Sequence, residues 1–232
     1  MNKNYSMSCL FFLFFFIGWG CCYPYLSLWL TETIGISYTD VGLVYSFTAI
    51  IAVCVQPLFG FISDKLVYRK HLMWMLAIII TLFAPWWIYV FAPLLKYNVI
   101  LGALAGGVYI GMAYGAGCGI CEAYIDKVSR ASGFEFGRAR MFGGIGAAIG
   151  TFAAGKLYGI DQNMIFWLAS TAGICLLLIV WKTQVDTSNA AVHQQTKATP
   201  VTFRDAAALL KLKKFWFFAI YMIGVGAVYE TY

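Results

Sequence analysis

The chain has 232 residues, of which 62% are hydrophobic and 11% charged, and carries a formal net charge of +6. That mixture excludes an ordinary soluble domain and points to a protein that lives in a membrane. No nucleophile–base pair, phosphate loop or metal-ligand cluster stands out, so neither an enzyme nor a bound cofactor is expected.

A hydrocarbon core about 30 Å thick takes about 20 apolar residues as helix. Uncharged runs of that length cover residues 8–30, 41–63, 72–95, 97–121 and 162–181. Residues 141–155 form a shorter run that becomes long enough if Arg138 and Arg140 enter the headgroup region or the protein interior. A further run opens at Phe215 and continues to Tyr232. The expectation is an all-α, polytopic membrane protein of six full spans and a partial seventh. The first run follows Lys3 but is too long and aromatic for a secretory leader and lacks a small-residue cleavage site, so it reads as a retained helix.

Basic residues set the orientation. With the N-terminus inside, inner segments hold fourteen of the sixteen Lys and Arg residues, and outer loops hold only Lys96 and Lys156. This positive-inside bias predicts a cytoplasmic N-terminus, and it assigns the net charge to topology and anionic lipid rather than to nucleic acid. Residues 183–213 form a polar inner loop, which divides the chain into a bundle at 1–182, the loop, and the start of a seventh helix at 214–232. A long inner loop after a sixth span is the midpoint expected of a twelve-helix transporter made of two halves.

Seven cysteines, at positions 9, 21, 22, 54, 118, 121 and 175, all fall within predicted spans and read mainly as small interior packers rather than a disulfide framework. Gly107, Gly111, Gly115 and Gly119 recur every four residues and would let another helix backbone lie close. The fifth span repeats the device with Gly146 and Gly150.

The charged run from Glu122 to Arg140 separates two uncharged stretches. Both outer charges fall at or inside the membrane boundary, where an ionised group is costly unless it is paired or faces a polar cavity. An acid and an arginine on consecutive helices point to a polar substrate site. A purely structural interhelical ion pair is the alternative.

Between the second and third spans, Gly60, Asp64, Lys65, Arg69 and Lys70 fit a loop spacing that resembles the signature of the major facilitator superfamily. Val67 stands where that pattern has its second glycine, so the turn is made without a residue tolerant of positive φ. Longer stretches then resemble the lactose permease and raffinose permease group of proton-coupled oligosaccharide symporters. They are Gln56 to Gly60, Phe91 to Leu95, Gly106 to Gly111, Glu122 to Arg130, Phe134 to Gly143 and Ile223 to Val225.

The resemblance implies an N-terminal six-helix bundle of a major facilitator superfamily transporter, in a bacterial inner membrane. The full-length form is expected to be monomeric, with an oligosaccharide of two or three rings as substrate and a proton as the coupling ion. It also implies that Glu122 and Arg140 are the sugar-binding acid and arginine, with Cys118, Gly144 and Ala147 beside them. Ala147 replaces the tryptophan that galactoside-transporting members place there, and Gly144 replaces a cysteine. Trp19, Tyr23 or Tyr114 would then supply an aromatic face, or serve as packing. Glu230 matches a seventh-helix acid whose partner lies in the second half, as do the residues that carry the proton. His71 and His193 are read as solvated loop residues. A non-transporting remnant and a half-size homodimeric carrier stand as alternatives.

Overall fold

The computed structural model of the chain describes residues 3–65, 70–183, 212, 215–218 and 220–221, and for residues 57 and 60–65 the backbone alone. Among the described residues every regular element is helical. Two compact units divide the chain at Asp186. The first holds six helical stretches: α1 (Lys3–Ile34), α2 (Tyr38–Lys65), α3 (His71–Thr81 continued by Phe83–Tyr97), α4 (Val99–Ser132), α5 (Phe136–Tyr158) and α6 (Met164–Lys182). In the second unit, residues 215–218 are helical, and Trp216, Phe217 and Phe218 are exposed. The rest of the expected seventh span, with Glu230, lies outside the described residues, as does nearly all of the expected 183–213 loop.

Four of these helices are long and apolar enough to cross a membrane on their own, and the bent α3 makes a fifth. The sixth, α5, has 23 residues and therefore the length, but its glycines and its Arg138, Arg140 and Lys156 dilute its apolar character. The chain is thus a multi-pass membrane protein.

Prolines and π turns shape the bundle. Pro24 sits in the turn that interrupts α1 after Cys22, since a proline has no N–H to continue the ladder. The uncharged run expected as the third span bends by 53° at Leu82. Pro85 follows three residues later, and the freed N–H of Ala84 donates to Ser170 Oγ of α6 at 2.8 Å. In α4 a π turn occupies Gly111–Ala116, directly before the polar stretch that begins at Cys118.

Small residues bring the helices together. Gly107, Gly111 and Gly115 face α2, where a Cβ on Gly107 would lie 2.9 Å from the Phe47 backbone and one on Gly115 3.0 Å from Ala52. Gly119 meets nothing within 4 Å, because the extra residue of the π turn throws the four-residue spacing out of phase beyond it. The closest approach joins α1 to α5: a Cβ on Gly20 would lie 2.6 Å from the Ala147 carbonyl oxygen, and one on Gly150 2.5 Å from that of Ile17. Thr151 Oγ1 donates to the Gly20 carbonyl at 3.1 Å, and Tyr25 to the Thr151 carbonyl at 3.2 Å. At the far end of α1, Trp29 donates to Asn163 and Thr33 is hydrogen-bonded to Gln162. Phe12, Phe15, Trp29, Leu76, Trp87 and Phe166 fill the centre with almost no exposure.

Candidate sugar site

The site is assembled by one tight reversal. Helix α4 ends at Gly133, whose φ of 70° lies in the left-handed region that costs glycine little, and α5 starts three residues later. That turn lays the start of α5 beside the end of α4. Arg140 then donates from Nε to Oε1 of Glu122 at 2.7 Å. The other two ion pairs among the described residues, Arg130–Asp126 and Arg138–Glu135, are local contacts within the same stretch of chain and are largely exposed on the arginine side. Of the three, Glu122–Arg140 alone joins two helices.

Its surroundings are graded from polar to apolar. The Cys118 thiol, one turn earlier on α4, approaches the same Oε1 at 3.7 Å. On the opposite side the Arg140 guanidinium lies over Phe16 of α1, 4.3 Å from the ring centre, and 5.6 Å from that of Phe12. The pair is not sealed: the Arg140 side chain is 36% exposed and that of Glu122 38%. Glu122 Oε2 and both terminal amino groups of Arg140 make no hydrogen bond among the described residues. A carboxylate oxygen and a two-pronged guanidinium donor therefore remain for a ligand, the combination that suits vicinal hydroxyls and a ring oxygen.

The remaining expected positions fall into three groups. Gly144 stands one turn beyond Arg140 on α5, exposed, with nothing within 4 Å of where a Cβ would be. Ala147 is half-buried, and its backbone is pressed against Gly20. Trp19 and Tyr23, both half-buried on α1, stack on each other with ring centres 5.5 Å apart and planes 16° from parallel. Tyr114, by contrast, is buried and wedged against Phe15 and Phe83, so packing is its role and it offers no face to a ligand. His71 is exposed at the start of α3.

Of the loop signature, Gly60, Asp64 and Lys65 lie in the last turns of α2, and their side chains are outside the described residues, as is Arg69 altogether. Lys70 is described: it lines a small crevice with Met7, Phe11, Met73 and Tyr124, where burial draws its ammonium below the ordinary lysine value. All seven cysteines are free thiols, with Cys9, Cys21, Cys22 and Cys121 buried.

Two residues beside the site are not singled out by the sequence. Phe16 carries the guanidinium, and Tyr45 of α2 sets its ring edge-on to Tyr23 at 5.7 Å. The first had a signal, since positions 16, 19 and 23 recur at helical spacing and share one face of α1. The second had none, being fixed by the packing of α2.

The sequence has clear relatives among known proteins. The family described as LacY proton/sugar symporter matches residues 1–232. The chain is 42% identical to the raffinose permease of Escherichia coli and 42% identical to the melibiose permease of Enterobacter cloacae, in each case over 100% of this chain and 55% of the relative. It is 31% identical to the sucrose permease of Escherichia coli over the same shares. The chain thus spans about half the length of the curated relatives it matches. With a family match along its full length, the chain belongs to the LacY proton/sugar symporter family.

Proposed function

We propose that this chain supplies the N-terminal, sugar-binding half of a proton-coupled oligosaccharide symporter of the bacterial inner membrane. In this reading Glu122 and Arg140 hold one hexose near the middle of the bilayer. Glu122 accepts hydroxyl hydrogen bonds through its open oxygen, and Arg140 donates through its two terminal amino groups. The N-terminus is cytoplasmic, residues 1–182 form the first bundle, and residues 183–213 form the loop that leads to the second. The coupling ion is the proton, and the groups that carry it belong to the second half. The complete protein works as a monomer that rocks its halves around the bound sugar.

The observation that carries this reading is the incomplete pairing of Arg140 with Glu122. An interhelical guanidinium–carboxylate pair that serves structure alone frequently forms two parallel bonds and is shielded from solvent, whereas this pair joins two helices and keeps 36% and 38% of its side-chain surface exposed. Here a single contact holds the pair, and the remaining groups stay open among the described residues. The names of relatives agree, since a raffinose, a melibiose and a sucrose permease all match along the chain.

Equilibrium dialysis of labelled raffinose against the purified chain in lipid nanodiscs tests it. The expected result is saturable binding that Glu122→Gln abolishes while the helical content is kept, together with protection of Arg140 from phenylglyoxal by the sugar. Unchanged affinity in the glutamine variant would refute the assignment.

A further inference from the structure

We infer that Trp19, Tyr23 and Tyr45 form a second subsite, an aromatic shelf for the sugar rings beyond the one held by Glu122 and Arg140, so that the site selects oligosaccharides by length. This rests on the reading above and adds to it the class of ligand. The shelf begins where the polar pair ends. Arg140 covers Phe16, and Phe16 meets Trp19 edge-on with ring centres 6.3 Å apart. Trp19 stacks on Tyr23 at 5.5 Å, and Tyr23 meets Tyr45 at 5.7 Å. Tyr45 is fixed there by its hydroxyl, which donates to the Tyr23 carbonyl at 3.4 Å. The rings thus continue, one after another, from the guanidinium across α1 to α2.

Three features separate this run from core packing. Trp19, Tyr23 and Tyr45 are all half-buried, whereas the aromatics of the bundle centre, Phe12, Phe15, Trp87 and Phe166, have almost no exposure. One turn beyond Arg140, α5 carries Gly144, which is exposed and has nothing within 4 Å of where a Cβ would be, and Ala147 after it brings only a methyl group where the backbone closes on Gly20, so neither position sets a large side chain beside the rings. The shelf also has the right length. Phe16 and Tyr23 are separated by about 10 Å along the helix axis, enough to underlie more than a single pyranose ring. A pyranose has an apolar C–H face that lies flat against an aromatic ring, which supplies contact area without demanding a particular hydroxyl pattern. A single hexose would occupy only the Glu122–Arg140 end, and each added ring would meet aromatic surface.

Galactose, melibiose and raffinose share a terminal galactose and carry one, two and three rings, so they test the shelf directly. Dissociation constants for the three are measured by competition dialysis on the purified chain in nanodiscs, for the wild type and for Trp19→Ala, Trp19→Phe and Tyr45→Leu. In the wild type, affinity is expected to rise along the series. Trp19→Ala should lower the raffinose-to-galactose affinity ratio about five- to tenfold, and Trp19→Phe should restore most of it. Tyr45→Leu, at the far end of the shelf, reports in the same direction if Trp19→Ala does not fold. An equal loss for all three sugars, or no change in the ratio, overturns the shelf. Those outcomes leave the polar pair untouched. Raffinose binding that survives Glu122→Gln sinks the underlying site instead.

Discussion

Arg140 of α5 donates through Nε to Oε1 of Glu122 on α4 at 2.7 Å, across the reversal made at Gly133. The contact spends the one guanidinium nitrogen that lies off the planar two-pronged end. That end is left free among the described residues, stacked near Phe16, with the Cys118 thiol flanking the acid. The acid therefore orients the arginine without consuming its capacity for a second partner. Both side chains keep more than a third of their surface, so neither charge bears the full desolvation cost of a sealed pair.

The first prediction separates charge from shape at this position. Arg140→Lys keeps the positive charge and can keep the contact to Glu122, but replaces a planar fork with a point ammonium. If the terminal amino groups hold sugar, losing one charge-assisted hydrogen bond of about 1.5–3 kcal/mol weakens binding roughly 10- to 150-fold. Dialysis of raffinose against the variant reads this. Binding within twofold of wild type would show that the arginine contributes charge alone.

A second prediction concerns the α1–α5 seam. Gly150 has no room for a methyl group, because a Cβ there would sit 2.5 Å from the Ile17 carbonyl oxygen, an atom of backbone that cannot swing aside. Gly150→Ala is expected to cost about 1–3 kcal/mol through overpacking. Gly144→Ala, six residues earlier on the same helix, meets nothing within 4 Å and should be near neutral. Reversible unfolding in mixed detergent micelles measures both, and equal costs would mean that the seam relaxes freely.

Much of this was legible in the sequence because membranes simplify the problem. Uncharged length marked the spans, and the isolation of Glu122 and Arg140 between apolar runs was enough to mark them as a pair. The four-residue glycine spacing indicated a packing face on α4, which the structure sets against α2 at Gly107, Gly111 and Gly115, and it failed at Gly119, where the π turn shifts the phase. The bend at Leu82 was hidden for a related reason: hydropathy counts apolar residues and is blind to the lost N–H of Pro85. Tyr114 and Trp19 were indistinguishable as aromatics in apolar helices. Packing alone assigns the first to the core and leaves the second half-exposed beside the site.

Tyr114 gives a third prediction. Its hydroxyl is buried, close to Gly18, and has no hydrogen-bond partner among the described residues. A phenol held away from water without a partner costs about 1–3 kcal/mol of desolvation, and removing the oxygen leaves the ring contacts with Phe15 and Phe83 intact. Tyr114→Phe should therefore be neutral or stabilising in the same unfolding assay, with raffinose binding unchanged. A loss of more than about 1 kcal/mol would show that the hydroxyl makes a hydrogen bond worth a typical net contribution.

The last prediction follows from Lys70, which lines an apolar crevice with Phe11, Met73, Ile125 and Val128 just ahead of α3. Burial disfavours its charged form and sets its folded pKa below the ordinary value of 10.5, with no acidic partner among the described residues acting in the other direction. Between the folded value and 10.5 the unfolded chain binds more protons than the folded one, so stability rises with pH across that window. Below the folded value the full penalty of holding the cation applies. Lys70→Met should then raise stability at neutral pH and flatten the rise on the alkaline side, since the residue responsible no longer titrates. Unfolding midpoints in detergent at neutral pH and along an alkaline series report both effects. A methionine variant that is less stable at neutral pH, or that keeps the alkaline slope, would show that the ammonium is held by a favourable contact and not merely by burial.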